Sequence, residues 1–190
     1  MPPLPLFLNM EGSPVLVVGG GRAAFLKLRA LFRAGAQVTV IARSLSPKVA
    51  ALVAQNKTCT VLLRKATPRD VLVRYRLLFP LTDDETLNAR LVEAARAKRI
   101  WVGGSGDPAR ADFAFGATLD HAGVRVAIST GGVSPVLARM LARRLKAALR
   151  DLLPRTSLAA LPSRTAMRAH VPSSPRRRAR LARAARQSLV

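Results

Sequence analysis

The sequence predicts an α/β fold in which a parallel sheet is followed by a small β-hairpin and a long helix. Up to residue 102, short apolar runs typical of buried strands alternate with segments of helical periodicity. This alternation favours a parallel sheet with right-handed crossovers. Beyond Pro108, two apolar runs follow each other closely, as hairpin strands do, and Ser134 and Pro135 suit the first residues of a helix.

The predicted elements begin with a β-α-β unit formed by residues 15–18, 23–34 and 38–41, in which Gly35 stops the helix. Next come a helix at 47–54, a strand at 60–63, a short helix at 69–73, a strand at 77–79, a helix at 85–97 and a strand at 100–102. The hairpin strands are placed at 113–118 and 124–129 with a loop at 119–123, and the long helix runs from Ser134 to about residue 153.

The turn between the first strand and the first helix contains three consecutive glycines. Residues 19–24 fit the pattern G-x-G-x-x-A at a strand-to-helix junction, which is the fingerprint of a Rossmann-type dinucleotide-binding unit. The helix N-terminus would add unpaired N–H groups and a partial positive charge, both suited to a diphosphate. A turn that merely connects the two elements is the alternative. The cofactor-binding residues predicted here are Gly19, Gly20, Gly21, Arg22 and Ala23.

The end of the second strand bears on the choice between NAD and NADP. Residues 40–44 contain no carboxylate for the ribose 2′-hydroxyl of NAD, whereas Arg43 could face the 2′-phosphate of NADP. We add Arg43 to the predicted cofactor-binding residues. The sequence at this turn therefore does not decide between NAD and NADP.

Composition and charge exclude several classes of protein. The formal net charge is +22, and 14 of the 32 Lys and Arg residues lie from Val136 onward, where no Trp or Tyr is present for base stacking. We therefore expect a weakly ordered Arg/Ala-rich tail at 154–190 and no nucleic-acid partner, with a nucleic-acid-binding arm as the alternative interpretation of the tail. No apolar stretch approaches the ~20 residues of a membrane span, so we expect no membrane partner and a cytoplasmic location.

The single cysteine, Cys59, lies in an apolar run and is interpreted as a small hydrophobic residue rather than a nucleophile.

Three strings of the sequence together resemble one family. They are VVGGG at 17–21, TDDETLN at 82–88 and STGGVSPVLA at 129–138, and the opening LPLF at 4–7 agrees with them. In this order and at these intervals, residues 4–153 are similar to the precorrin-2 dehydrogenase and sirohydrochlorin ferrochelatase family, which also forms the N-terminal domain of siroheme synthase.

The resemblance implies a function and an assembly. The implied reaction is the NAD-dependent oxidation of precorrin-2 to sirohydrochlorin, followed in some members by insertion of ferrous iron, which would be a substrate. The resemblance also implies a homodimer, in which residues 1–110 bind NAD and residues 111–153 form the dimerisation and substrate-cleft region. A two-stranded hairpin is marginal alone, so packing against a second copy would stabilise it.

Matched by position, the resemblance also implies roles for two loops. It places Thr82 and Asp83 beside the nicotinamide ribose. The residues that it assigns to the substrate carboxylates are Ser129, Thr130, Gly131 and Gly132. A helix cap at 82–84 and a plain strand-to-helix turn at 129–132 are the alternative interpretations.

One position departs from the family pattern. The family's general base is an aspartate shortly after the fifth strand, and matching Pro108 and Phe113 to the family puts Gly106 at that place. Asp107, one residue later, is the catalytic residue that we predict instead, with a turn residue as the alternative. Losing a general base lowers turnover by about 10²–10⁴-fold. Two functions therefore stay open: a dehydrogenase, impaired if Asp107 does not replace the base, and a non-catalytic dinucleotide- or tetrapyrrole-binding regulatory protein. No Cys, His or carboxylate cluster has metal-ligand spacing, so no metal site is predicted.

Overall fold

The computed structural model describes residues 3–104 and 110–153. The chain divides into two compact units, of which the first ends at Phe115 and the second begins at Gly116. No helix among the described residues is long and apolar enough to cross a membrane.

The first unit is built around a five-stranded parallel sheet with the strand order β3-β2-β1-β4-β5. Its strands are β1 (Pro14–Val18), β2 (Gln37–Ala42), β3 (Cys59–Leu63), β4 (Leu77–Pro80) and β5 (Trp101–Val102). Its helices are α1 (Arg22–Arg33), α2 (Pro47–Ala54) and α3 (Glu85–Ala97). The predicted Rossmann-type parallel sheet is confirmed.

Two apolar clusters cover the two faces of this sheet. Because side chains alternate along a strand, Val15 and Val17 of β1 enter one cluster and Leu16 and Val18 enter the other. Helices α1 and α2 pack on the first face, and α3 packs on the second. Both faces of β1 are therefore covered by helices, which explains its uninterrupted apolar run.

The short helix predicted at 69–73 is shorter than expected and begins one residue earlier. A 3-10 helix covers only Pro68–Asp70, and Val71 after it has ψ 87° and lies buried in the second cluster. Asp70 completes a capping box at the start of this helix, because its carboxylate accepts a hydrogen bond from the Thr67 backbone N–H at 2.7 Å. The same carboxylate accepts from the Arg64 guanidinium at 2.9 Å. The Arg64 guanidinium lowers the pKa of Asp70. The helix ends where Val71 leaves the helical conformation and its side chain enters the apolar core.

The thiol of Cys59 is half-buried at the start of β3 and packs against the first apolar cluster. Burial raises its pKa to about 11. A thiol with that pKa is almost entirely protonated at neutral pH, and the thiolate is the nucleophilic form. The interpretation of Cys59 as a small hydrophobic residue agrees with this environment.

The described part of the second unit, residues 116–153, contains an antiparallel hairpin and one long helix. Strands β6 (Ala117–His121) and β7 (Val124–Ile128) pair with His121 opposite Val124, and α4 covers Pro135–Leu152. The predicted loop at 119–123 is wrong, since only Ala122 and Gly123 lie between the strands. Their φ values of 46° and 81° suit the two-residue turn that joins tightly paired strands. As predicted, Ser134 caps α4: its hydroxyl accepts a hydrogen bond from the Leu137 N–H at 3.1 Å.

Candidate functional site

The candidate site lies at the carboxyl edge of the parallel sheet, where β1 and β4 are neighbours. The chain leaves β1 toward a helix on one face and leaves β4 toward a helix on the other, so a crevice opens between the two connections. The segments that reach this edge are the glycine turn after β1, Arg43 after β2, Thr82 after β4 and Gly103 after β5. The strand order thus brings together all the predicted cofactor residues.

Two of the three glycines are required by the close approach of the protein's own backbone. Gly19 has a φ of 125°, and a Cβ at this residue would collide with the carbonyl oxygen of Leu81. A Cβ at Gly20 would collide with the carbonyl oxygen of Ser44. Each glycine also forms a backbone hydrogen bond on the β2 side. The Gly19 N–H donates to the Ile41 carbonyl of β2 at 2.9 Å, and the Gly20 carbonyl accepts from the Ser46 N–H after β2 at 2.9 Å.

Gly21 differs from these two because a Cβ there would find no atom within 4 Å. It is the N-cap of α1, forms no side-chain cap, and no acidic residue follows in the first turn. The first helical hydrogen bond runs from Phe25 N–H to Gly21 at 3.1 Å, which leaves the N–H groups of Arg22 and Ala23 outside the helical pattern. This open end fits a diphosphate, which supplies negative charge and acceptors at the position where a side chain would otherwise project.

Thr82 is held by a compact hydrogen-bond network with Asn88, which we call the Thr82–Asn88 clasp. The Thr82 hydroxyl donates to Asn88 Oδ1 at 2.7 Å, and Asn88 Nδ2 donates back to the Thr82 carbonyl at 2.7 Å. Asp84 caps α3 by accepting from the Leu87 N–H at 2.8 Å. The clasp joins the end of β4 to the second turn of α3 and fixes the backbone of the intervening loop.

Of residues 82–84, Asp84 is therefore the one that forms the helix cap offered as the alternative interpretation of this segment. Asp83 and Arg43 project from the same edge as exposed side chains, and neither has a hydrogen bond or ion pair among the described parts of the chain. Both are free to contact a ligand. Their assignment to the cofactor stays a prediction.

The loop predicted to bind substrate belongs to the second unit and closes onto the start of α4. The Thr130 hydroxyl donates to the Ser134 carbonyl at 3.1 Å and accepts from the Ser134 N–H at 3.2 Å. The Gly131 N–H donates to the Ser129 hydroxyl at 3.2 Å. Gly131 and Gly132 have φ values of 63° and 87°, and a Cβ on either would contact nothing within 4 Å. The four predicted residues therefore form one ordered turn with an open outer side.

Asp107, the predicted catalytic residue, and Gly106 lie outside the described residues. Asp112 is not among the residues predicted from the sequence. Its carboxylate accepts from the Val102 N–H at 2.7 Å, and its own N–H donates to the Val102 carbonyl at 2.8 Å. Phe113 then forms a parallel bridge to Gly103. Asp112 thus secures the end of β5, a role that no local motif in the sequence signals.

Titratable groups outside this edge show no arrangement suited to a metal. Among residues 3–104 and 110–153, no group of three or more His, Cys, Asp or Glu side chains is placed to hold an ion. The ring of His121 lies 3.0 Å from the Leu153 carbonyl, so it bonds to the end of α4. His121 therefore has a structural partner, which its position in the predicted loop did not indicate.

A family model described as "Putative NAD(P)-binding" matches residues 6–117 of this chain. The match covers all the strands and helices of the first unit and the glycine turn at its crevice. The chain belongs to this NAD(P)-binding family. The predicted nicotinamide dinucleotide cofactor is confirmed.

Two curated relatives of this chain are siroheme synthases, a more specific group than NAD(P)-binding proteins in general. The chain is 40% identical over 146 residues to siroheme synthase of Tolumonas auensis, covering 77% of this chain and 30% of that protein. It is 41% identical over 143 residues to siroheme synthase of Methylococcus capsulatus, covering 75% of this chain and 30% of that protein. The chain thus spans about a third of the length of these relatives, and the predicted resemblance to the siroheme synthase family is confirmed.

A solved structure described as "SirC, precorrin-2 dehydrogenase" has the same fold. Its TM-score is 0.68 at 22% identity, and the match covers 95% of this chain and 88% of that one. At this identity the likeness establishes the fold, including the hairpin and long helix after the parallel sheet.

Replacing Asn88 by Ala should destabilise the first unit by about 1–2 kcal/mol, because the carbonyl and hydroxyl of Thr82 lose their half-buried partner. Chemical denaturation of the two proteins measures the difference. Asp83→Asn is the matched control, since Asp83 is exposed and has no bond among the described residues, and its stability should equal that of the parent within error. Equal stability of Asn88→Ala and the parent would show that the clasp contributes nothing.

Proposed function

We propose that this chain catalyses the NAD-dependent oxidation of precorrin-2 to sirohydrochlorin. The single observation that supports the proposal most strongly is the open N-terminus of α1 at Gly21, at the crevice between β1 and β4 of an NAD(P)-binding unit. The names of the relatives supply the substrate class, since they are siroheme synthases. Cytoplasmic location stays a prediction.

In this proposal each part of the sheet edge has one task. Gly19, Gly20 and Gly21 with the N–H groups of Arg22 and Ala23 bind the diphosphate of the cofactor. Thr82 and Asp83 lie on the nicotinamide side of the crevice, held there by the Thr82–Asn88 clasp. When bound, NAD would supply the hydride acceptor for the oxidation of precorrin-2, and a base on the protein would accept the accompanying proton.

NAD is the form of the cofactor that we propose, and NADP is the competitor. Arg43 follows β2, where residues that bind the adenosine ribose lie in folds of this kind, and its guanidinium is exposed. An exposed arginine can bind a 2′-phosphate or stack on adenine. A binding comparison of the two dinucleotides therefore belongs in the first experiment.

Asp107 is the proposed base, and the turn of Ser129, Thr130, Gly131 and Gly132 is the proposed contact for substrate carboxylates. The glycine at 106 favours a second candidate function, a protein that binds the dinucleotide or the tetrapyrrole without turnover. Insertion of ferrous iron into sirohydrochlorin is a further proposed step, in which iron is a substrate.

We also propose that α4 forms a homodimer. Six of its large apolar side chains are exposed in the single chain, which is unfavourable in water for a helix of 18 residues. A second copy of this unit would bury them. The exposed apolar residues of α4 are Val136, Leu137, Met140, Leu141, Leu145 and Leu152.

Gly21→Ala should weaken NAD binding by about tenfold or more, because the new methyl group projects into the space proposed for the diphosphate. The φ of −90° at this residue is open to alanine, so the variant should fold. Calorimetric titration with NAD and NADP, together with a thermal melt, gives both quantities. Gly20→Ala is the contrasting variant and should lose stability, since its Cβ meets the Ser44 carbonyl. Unchanged NAD affinity in Gly21→Ala, or no binding to the parent chain, would refute the proposed cofactor site.

Asp107→Asn should lower the kcat for NADH formation from precorrin-2 by about 10²-fold or more while leaving the Kd for NAD unchanged. The assay follows NADH absorbance with enzymatically prepared precorrin-2, and addition of ferrous iron tests for siroheme formation. A parent chain that binds NAD but forms no NADH, and gains turnover in Gly106→Asp, would instead establish a dehydrogenase impaired by the loss of its base. Turnover of the parent chain at a normal enzymatic rate would rule out the non-catalytic candidate.

Leu141→Glu should convert the proposed dimer to a monomer, because a carboxylate on the apolar side of α4 cannot be buried without a partner. Sedimentation velocity at micromolar concentration measures the change. Arg143→Glu introduces the same side chain elsewhere on α4 and should leave the dimer intact. A parent chain that sediments as a monomer would contradict the proposal.

A further inference from the structure

Lys27 on α1 has an environment that the sequence did not indicate. Its ammonium nitrogen lies 4.5 Å from the centre of the Phe115 ring, and the side chain is half-buried. Burial lowers its pKa. No carboxylate in the described parts of the chain forms an ion pair with it. A half-buried ammonium whose neighbour is an aromatic ring keeps a charge that an external anion can neutralise.

Lys27 lies close to the carboxyl edge of the parallel sheet, beside the end of β5. A Cβ at Gly104 would lie 3.1 Å from Lys27 Cε, and Gly104 follows β5 by two residues. Lys27 is also six residues beyond Gly21, which corresponds to about 9 Å along the axis of α1. The diphosphate end of the crevice is therefore remote from Lys27, and the β4–β5 side, where the nicotinamide lies in folds of this kind, is close.

The ring of Phe115 beside Lys27 belongs to a cluster of three aromatic rings. Phe79 of β4 is fully buried, and its ring centre lies 5.6 Å from that of Phe113 and 5.5 Å from that of Phe115. The outermost ring, Phe115, is 43% exposed. The cluster offers an apolar surface with one cation at its rim, which matches a flat macrocycle that carries carboxylate side chains.

We propose that Lys27 binds a carboxylate of the tetrapyrrole substrate, with Phe115 contacting the macrocycle beside it. This inference rests on the proposed function, because only the dehydrogenase proposal brings a tetrapyrrole to the nicotinamide. A hydride acceptor and its donor must touch, so a group next to the nicotinamide end of the crevice also lies next to the substrate. Lys27 is thus a substrate-binding residue that discriminates in favour of an acidic macrocycle.

The test compares Lys27→Met with Lys27→Arg and with Lys48→Met, a control that removes the same charge from an exposed position on α2. The binding probe is uroporphyrin, a stable tetrapyrrole polycarboxylate, followed by its fluorescence. Kinetics with precorrin-2 supply KM and kcat, and titration with NAD supplies the cofactor Kd. Lys27→Met should weaken uroporphyrin binding and raise KM by about tenfold with the NAD Kd unchanged, while Lys27→Arg and Lys48→Met stay within about twofold of the parent.

The outcomes separate the inference from the function on which it rests. Normal turnover in the parent chain together with unchanged uroporphyrin affinity in Lys27→Met overturns the role of Lys27 alone. Weaker NAD binding in Lys27→Met with unchanged uroporphyrin affinity also overturns it, because the lysine then belongs to the cofactor site. A parent chain that neither binds uroporphyrin nor oxidises precorrin-2 overturns both proposals.

Discussion

Close packing of backbone against backbone at the first turn is the constraint on which the candidate site depends. Gly19 and Gly20 fill the space between the carbonyl groups of Leu81 and Ser44, so three loops meet at van der Waals distance. Any side chain at either glycine would force β1 away from the connection after β2 or after β4. The crevice between β1 and β4 therefore owes its shape to the absence of two Cβ atoms.

The same constraint separates the roles of three identical residues. Gly19 and Gly20 are explained by the folded chain itself, whereas Gly21 has no protein neighbour that requires a glycine. A residue without a structural explanation, placed at a helix N-terminus with no cap, is the stronger indicator of a ligand. The presence of three glycines in the sequence does not distinguish Gly21 from Gly19 and Gly20, whereas their surroundings in the folded chain do.

Much of the first unit could be predicted because its local signals agree with its tertiary environment. The apolar run at 15–18 is buried on both faces, and the periodicity of α1 matches its buried residues Ala24, Leu28 and Leu31. The hairpin turn was misplaced because Ala122 adopts a positive φ that its side chain does not favour, so the sequence carries only half of the usual turn signal. Asp112 and Lys27 were missed for another reason: their partners, Val102 and Phe115, become neighbours only when the chain folds.

The uncapped start of α1 has a thermodynamic consequence for the molecule as a whole. A ligand that binds this helix end binds only the native chain, because the cradle of N–H groups does not exist in the unfolded one. Free ligand then shifts the unfolding equilibrium by mass action, adding about 1.4 kcal/mol for each tenfold excess over its Kd. The resistance of the chain to unfolding and to proteolysis would therefore rise with the concentration of dinucleotide around it.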